Sequence, residues 1–519
     1  MRITIDHMPV EVEEGTTVMQ AAARLGIQIP ALCYQRGSGN HPSCMVCLVQ
    51  ELNTGKFIPS CAHPVMEGMN ILTHLVEIRE VRREALELLL SDHVGDCEAP
   101  CRLSCPEFMN IPLMNRLIAE GKFIEALSVV REEIALPLIL GCICPAPCEK
   151  ACRRKPIDGA LAICLLKRFT AQDDLRRSSD LMRGVKKNGK KVAVIGTGPA
   201  GLSAAFHLLR LGHGCVLFDK AEKAGGTLRY QIPEEKLPRA LLDSEIECIR
   251  KMGAVFILNT LVEKEMFEKT IIREFDAVIL ATGNQVSNPV QDFNLEPDEF
   301  CSLINKKTFV TSRPGVFGCG SVVREEHMAV RSTAQGKTAA IEVDIFLKTH
   351  NPRRIHFKFH SAISHLFKNE YGEYLKESII SGRNEPIRGF LSGFSDEEAM
   401  HEAKRCMHCD CRKPVSCKLR IYADEYHANR KRYMGVERKS LIKNIQHELV
   451  IYEPEKCIKC GLCVDITKRE GEDLGLTYIG RGFDVHIGVP FKENMNEALV
   501  KTATACVEVC PTGALAFKT

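Results

Sequence analysis

The chain has 519 residues, too many for a single core, so roughly three to five domains are expected. Its net charge of +3 carries no footprint of nucleic acid or of a polybasic membrane contact. Most of the 25 cysteines fall in short-spaced groups, which points to metal sites instead of a disulfide scaffold. The opening MRITIDHMPVEVEEG has no apolar signal-peptide core, and no run of about 18 apolar residues occurs that could span a membrane. The expectation is a cytoplasmic protein whose thiols hold metal.

Residues 1–75 read as one domain. Two short alternating strands, Arg2–Ile5 and Val10–Val12, precede a helix over Val18–Leu25, started by Thr16/Thr17 and stopped by Gly26. Cys33, Cys44, Cys47 and Cys61 follow, spaced C-x10-C-x2-C-x13-C. Four thiolates in this order suit a [2Fe–2S] cluster, with a longer first loop than the plant-type run. A tetrahedral zinc site is the alternative. With the strand–helix pattern before it, the stretch resembles the N-terminal domain of the large iron–sulfur subunit of respiratory complex I and of multimeric hydrogenases. The resemblance implies a β-grasp ferredoxin fold.

Residues 76–171 begin with a helical stretch, Val76–Leu90, and then His93-x3-Cys97-x3-Cys101-x3-Cys105-Pro106. In the complex I subunit a similar position carries a histidine and three cysteines on one cluster. From Cys105 on, CPEFMNIPLMNRLIAEGKFIEALSVV and CICPAPCEKAC resemble the N-terminal domain of the glutamate synthase small subunit, shared by dihydropyrimidine dehydrogenase. That resemblance implies a helical domain with two [4Fe–4S] clusters and interleaved ligands. Carried over, one cluster takes Cys97, Cys101 and Cys152, with His93 as a candidate fourth ligand. The other takes Cys105, Cys144 and Cys148, with Cys164 as its candidate fourth. An ordinary surface histidine is the alternative at His93, and Cys142 is left spare.

Residues 172–190 are polar and charged and read as a linker. Residues 191–350 then open on KVAVIGTGPAG. The apolar run Val192–Ile195 reads as a buried strand, and LSAAFHLLRLG after the glycines has helical spacing. In this strand–GxGxxG–helix setting Gly196 permits the turn, Gly198 admits a pyrophosphate, and Gly201 lets helix and strand pack. Pro199 and Ala200 sit between, at a helix N-terminus that favours anions. A second strand, Cys215–Phe218, delivers Asp219, where an acid binds ribose hydroxyls.

The stretch after Asp219 resembles the flavin half of the glutamate synthase small subunit. Gly225-Gly226 stands where that family lays a glycine pair against FAD, with Arg229 in the Arg-Tyr pair that follows. A strand, Ala277–Leu280, runs into Ala281-Thr282-Gly283, a further FAD contact there. Gly320-Ser321 ends the closing flavin motif, where the family usually has aspartate in place of Ser321. The helix carrying Ala334-Gln335-Gly336 would point its positive end at the flavin. Between Thr227 and Pro314 only Gly253 and Gly283 are glycine, so no second phosphate-binding turn for NAD(P) is expected.

Residues 351–445 read as a basic linker and helical segment. Ser395–Glu398 is a capping box with a helix through Arg405, followed by Cys406-x2-Cys409-x-Cys411-x5-Cys417. That group suits a [4Fe–4S] cluster, with a zinc knuckle as the alternative. His356, His360 and His365 are left unassigned. Residues 446–519 contain Cys457-x2-Cys460-x2-Cys463, with Thr467 at the usual fourth position and Cys510-Pro511 as the distant closer of one [4Fe–4S] site. IGRGFDVHIG and ACVEVCPTGALAF again resemble the complex I subunit, and Cys506 is not expected to be a ligand.

The fold class is therefore multidomain α/β and α+β: a β-grasp ferredoxin, a helical iron–sulfur domain, a Rossmann-like FAD domain without its NADPH domain, and a C-terminal ferredoxin-like domain. The implied cofactors are FAD, one [2Fe–2S] cluster and three to four [4Fe–4S] clusters, with no NAD(P). Together they imply an electron-transfer subunit of a multi-subunit oxidoreductase such as a hydrogenase, a formate or aldehyde dehydrogenase, or a flavin-bifurcating complex. Its expected partners are a catalytic oxidoreductase subunit and an NAD(H)- or ferredoxin-linked subunit. No residue is assigned to substrate catalysis. The alternatives are a self-contained NAD(P)H-dependent oxidoreductase of the glutamate synthase type, and a scaffold whose flavin fold is inert.

Overall fold

The alternating residues at the start of the chain form strands β1 (Arg2–Ile5) and β2 (Met8–Glu11). The second begins earlier than the sequence suggests. Asp6 and His7, both at positive φ, make a tight turn that pairs Ile5 with Met8. The structure is a computed structural model that describes residues 1–37, 42–177, 185–284, 293–296, 304–349, 359–435 and 437–518. Two units are formed from interleaved stretches of chain. One takes Met1–Ala99, Phe357–Glu377 and His408–Thr519, and the other Pro100–His356 and Ser378–Met407.

In the first unit, β3 (Leu48–Glu51), β4 (Lys56–Pro59) and β5 (Asn70–Leu72) complete a five-stranded sheet in the order β2-β1-β5-β3-β4. Only β1 and β5 pair in parallel. Ile3, Ile5, Val49 and Ile71 pack against Val18, Ala21 and Ala22 of the helix Val18–Arg24. Thr17 and Gln20 start that helix with a capping box, which satisfies two otherwise orphaned donors. The helix Val76–Ser91 lays Leu86 and Leu90 against Leu419 and Ala423 of the helix Lys418–Glu425. The C-terminal stretch pairs Val450–Tyr452 with Leu515–Phe517 and encloses a core around Ile466, Leu499 and Val507.

In the second unit, helices Ile111–Ala119, Phe123–Glu133, Pro137–Ile143 and Ile163–Arg177 pack together. Phe123 and Phe169 meet edge to face with ring centres 5.0 Å apart. A parallel sheet follows: β6 (Lys191–Ile195), β7 (Gly214–Phe218), β8 (Val255–Ile257), β9 (Ala277–Leu280) and β10 (Val316–Gly318), in the order β10-β9-β6-β7-β8. Leu202 and Phe206 of the helix Pro199–Arg210 share its core with Ala339 and Val343 of the helix Ala329–Thr349. Both β8 and β9 come from residues 227–314, so the described part of that segment completes this sheet.

Two readings of the sequence are revised. The helix Ile163–Arg177 runs into the supposed linker 172–190, of which residues 178–184 lie outside the described set. The described part of the stretch 351–445 is divided between the two units. Within the second unit Arg405 is fully buried. It donates to Glu402 at 2.8 Å, to Asp158 at 3.0 Å and to the carbonyls of Ser381, Asp158 and Gly159. A buried guanidinium persists only with its donors so matched.

Glu245, buried on the helix Arg239–Lys251, accepts from the Leu138 and Ile139 amides at 2.8 and 2.9 Å. Burial pushes its carboxyl up to about 7 against the pull of those amides. The unfolded value is about 4.3, so the folded state holds the proton more tightly. Its contribution is full below the unfolded value and is lost as pH rises through about 7. Protection factors of the Leu138 and Ile139 amides in hydrogen exchange are predicted to fall between about pH 5 and pH 8, and to vary less in Glu245→Gln.

Candidate metal and nucleotide sites

Cys33, Cys44, Cys47 and Cys61 are all buried beside the five-stranded sheet, with 3.4 Å between the sulfurs of Cys33 and Cys44. Hydrogen bonding with Cys44 and Cys61 pulls the Cys33 thiol down, while those two thiols are pushed up. The hydrogen bond from Cys61 likewise draws Cys47 down to about 7, against burial. Ser60 Oγ donates to the Cys47 carbonyl at 2.7 Å and fixes the loop.

Cys457, Cys460, Cys463 and Cys510 line one narrow cavity together with Tyr452 and Ile487. The antiparallel pairing of Val450–Tyr452 with Leu515–Phe517 brings the distant Cys510 to the other three. Burial pushes the Cys457 thiol up to about 11. Cys506 is buried in the adjoining core and is not among the cavity-lining residues; its thiol points to the Cys463 carbonyl at 3.8 Å.

The cysteines between these ends are regrouped. The sequence placed Cys97 with Cys101 and Cys152, but the chain passes from one unit to the other after Ala99. Cys97 instead lies with Cys411 and Cys417, all three buried in the first unit. The Cys411 amide donates to the Cys97 carbonyl at 3.4 Å, and the Ser361 amide to Cys97 Sγ at 3.3 Å. Burial pushes Cys97 up to about 11, and Cys417 up to about 12 with Cys411 adding to the effect. Gly513 faces Cys411 Sγ so closely that any side chain there would collide with it. His93, four residues before Cys97, is partly buried, and its Nδ1 has no hydrogen-bond partner. Burial, then Lys456 and Arg430, hold its imidazole down at about 3, in the neutral form that can ligate a metal.

In the second unit Cys101 and Cys152 are partly buried against the core that contains Cys406. Two residues past Cys152, Arg154 donates to the Arg405 carbonyl, next to Cys406. Of the run 406–417, Cys406 packs in the core with Cys101 and Cys152, while Cys411 and Cys417 lie with Cys97. Cys105, Cys144, Cys148 and Cys164 line a single narrow cavity with Met109, Ile111 and Lys167. The hydrogen bond with Cys144 lowers Cys164, but Cys148 and burial push it up to about 12. Among the described residues no three Cys, His, Asp or Glu side chains converge on a point suited to one metal ion. These cavities are instead bordered by thiols around a small volume, as polynuclear cluster ligands are.

The glycine loop lies between β6 and the helix Pro199–Arg210. Gly196 has φ +107°, and a side chain there would collide with the Ala281 carbonyl. Gly198 precedes a helix with no side-chain cap, and nothing stands within 4 Å of where its Cβ would be. Thr282 Oγ1, past the end of β9 with Ala281 and Gly283, is buried without a hydrogen-bond partner. An open cradle, an uncapped helix and an orphaned hydroxyl fit a dinucleotide. Asp219 is at the end of β7, but its carboxylate already accepts from the Thr197 amide, the Thr197 hydroxyl and the Ala221 amide at 2.6–2.9 Å. Gly225 donates to the Thr197 carbonyl at 3.1 Å, with Gly226 packed over Gly198. Arg229 is tied to the Ala224 carbonyl and to Asp243. The Gly320 amide donates to Gln335 Oε1 at 2.8 Å, and Ser321 lies in the short turn that follows. A wider cavity is lined by Cys105, Arg324, Arg331, Ala334 and Gln335, joining a cysteine loop to the helix beneath the cradle.

Two residues of these sites were not singled out in the sequence, Lys167 and Lys456. The one available signal is position: Lys167 follows Cys164 by three residues on a helix and shares its face. Lys456 immediately precedes Cys457.

Residues 1–74 match the family of 2Fe-2S iron-sulfur cluster binding domains, residues 80–179 the 4Fe-4S cluster domain II of dihydropyrimidine dehydrogenase, and residues 194–251 an NAD(P)-binding Rossmann-like domain. The NADP(+)-dependent formate dehydrogenase subunit beta of Moorella thermoacetica is 38% identical over 212 residues, 37% of this chain and 30% of that one. The NADPH-Fe(3+) oxidoreductase subunit beta of Geobacter sulfurreducens is 35% identical over 195 residues, 37% of this chain and 29% of that one. The glutamate synthase [NADPH] small chain of Bacillus subtilis is 36% identical over 182 residues, 35% of this chain and 37% of that one. The chain thus spans about a third of the length of these relatives. Among the described residues no helix is long and apolar enough to cross a membrane. The polypeptide is a mosaic: a 2Fe-2S domain, a 4Fe-4S domain of the dihydropyrimidine dehydrogenase kind and a Rossmann-like domain, similar in part to the glutamate synthase small chain and to the beta subunits of NADP-linked oxidoreductases.

Proposed function

We propose that this chain is an electron-relay subunit of a multi-subunit oxidoreductase. The observation that carries the reading is the gathering of cysteines, from motifs far apart in sequence, into separate groups within each unit, together with a dinucleotide cradle in the second. Cys33, Cys44, Cys47 and Cys61 would hold a [2Fe–2S] cluster on a β-grasp domain. Cys457, Cys460, Cys463 and Cys510 would hold a [4Fe–4S] cluster, as would Cys105, Cys144, Cys148 and Cys164. A further cluster is assigned to Cys97, Cys411 and Cys417 with His93 as the candidate fourth ligand, and another to Cys101, Cys152 and Cys406.

Electrostatic proximity supports a path within the first unit. Cys460 feels Cys33, and Cys417 feels both Cys97 and Cys510, so three groups stand in series. In the second unit the cavity shared by Cys105 and Gln335 supports a path between a cluster and FAD. Flavin, when bound, converts two-electron to one-electron chemistry. Gly198, Ala200 and Gly201 would hold its pyrophosphate, and Thr282 and Ser321 would supply hydrogen bonds. Several relatives are named as subunits of larger oxidoreductases, which supports partner subunits for this chain; the partners proposed are a catalytic oxidoreductase subunit and one linked to NAD(H) or ferredoxin.

The test uses the purified full-length chain prepared without oxygen. Heat denaturation is predicted to release FAD, and dithionite to bleach the visible spectrum, while NADH and NADPH alone leave it unchanged. Rapid bleaching by NADPH would instead favour a self-contained oxidoreductase. At the level of one site, Cys164→Ala is predicted to lose about four iron atoms, one cluster's worth, measured by elemental analysis. Cys506→Ala keeps the full complement.

A further inference from the structure

Lys167 stands out among the charged side chains the relay leaves without a task. It is only 4% exposed, on the helix Ile163–Arg177, one turn beyond Cys164. Its side chain borders the narrow cavity formed by Cys105, Cys144, Cys148 and Cys164, whose other described lining residues are prolines, Met109 and branched aliphatic side chains. Apart from burial, the strongest influences on its ammonium are those four thiols, in the order Cys164, Cys144, Cys148, Cys105. The neighbouring Arg168 turns elsewhere, to the Phe390 carbonyl and Cys142. Lys456 offers a contrast in the first unit, because it is buried near Cys411 but paired directly with Glu453.

A buried ammonium is costly unless opposite charge meets it. Neutral thiols supply none, and the nearby Glu245 carboxyl is itself pushed up by burial and engaged by the Leu138 and Ile139 amides. Four thiolates around a [4Fe–4S] core supply it, since the assembly carries a net charge of about −2 oxidised and −3 reduced. Gaining one electron deepens the negative charge without breaking a ligand bond or moving a proton. In a dry cavity a fixed positive charge nearby favours that reduced form.

We propose that Lys167 is a positioning residue whose fixed charge raises the reduction potential of the cluster held by Cys105, Cys144, Cys148 and Cys164. That would make this site the electron sink of its unit, next to the flavin cradle. The inference rests on the cluster reading above, and the experiment separates the two.

Redox-poised electron paramagnetic resonance of the full-length chain reads each cluster's midpoint, and Cys164→Ala identifies the signal belonging to this site. In Lys167→Met that signal is expected to become at least tenfold harder to reduce, a downward shift of about 59 mV for one electron. Iron content stays unchanged, and Lys167→Arg stays near the wild-type midpoint. Retained iron with no shift in Lys167→Met overturns the proposal. If the Met variant loses its iron, Lys167→Gln is compared with Lys167→Arg, and equal midpoints overturn it likewise. If Cys164→Ala removes neither iron nor signal, the cluster reading fails and the inference falls with it, whereas retained iron with an unshifted midpoint in Lys167→Met overturns the inference alone.

Discussion

Buried thiols crowded at short range are the constraint on which both units depend. Burial drives Cys97 and Cys457 up to about 11 and Cys417 to about 12, outweighing the pull of nearby Arg420, Lys456 and Lys459, so each stays protonated at neutral pH. Turning four such thiols into thiolates inside an apolar cavity is unfavourable by Coulomb repulsion and by desolvation together. A polynuclear iron core removes both penalties at once, because it supplies positive charge at the centre of the group. Sheet, helices and loops in each unit converge on cavities that are otherwise poor solutions to packing.

The same constraint explains why the chain is threaded as it is. The first unit is interrupted after Ala99, resumes at Phe357, is interrupted again after Glu377 and resumes at His408. Each resumption brings a segment back against the cysteine loop it left. Ser361 donates to Cys97 Sγ, and Cys411 donates to the Cys97 carbonyl. The second unit does likewise when 378–407 returns to deliver Arg405 and Cys406 beside the turn after Cys152. Inserting a domain into a cluster loop leaves the cluster's geometry intact only if the two cut ends are held together, and these hydrogen bonds hold them.

Much of this was readable before the fold. Cys457, Cys460, Cys463 and Cys510-Pro511 form one group as the spacing suggested, and the strand–glycine–helix run at Lys191–Gly201 takes the form the motif requires. Such features are local, set by turn chemistry over a dozen residues, or closed by an antiparallel pairing. Cys164 was reachable through family resemblance alone, and it does line the cavity of Cys105, Cys144 and Cys148. What spacing could not reveal was long-range partnering. His93-x3-Cys97-x3-Cys101-x3-Cys105 reads as one evenly spaced run, yet the unit boundary falls inside it. Cys406-x2-Cys409-x-Cys411-x5-Cys417 is divided in the same way. Lys167 was invisible because a lone lysine on a helix is ordinarily solvated, and only its burial among thiols sets it apart.

The nucleotide domain fits the same logic. The described part of residues 227–314 supplies strands of its own sheet, the loop is open at Gly198, and Thr282 Oγ1 is buried without a hydrogen-bond partner. The relay function depends on the identity of the metal the thiols hold. Metal and sulfide analysis with Mössbauer spectroscopy on the anaerobically purified chain tests it most directly. The account predicts between roughly 14 and 18 iron atoms per chain, with matching sulfide and spectra of both [2Fe–2S] and [4Fe–4S] type. Zinc as the principal metal, or iron without acid-labile sulfide, would contradict it.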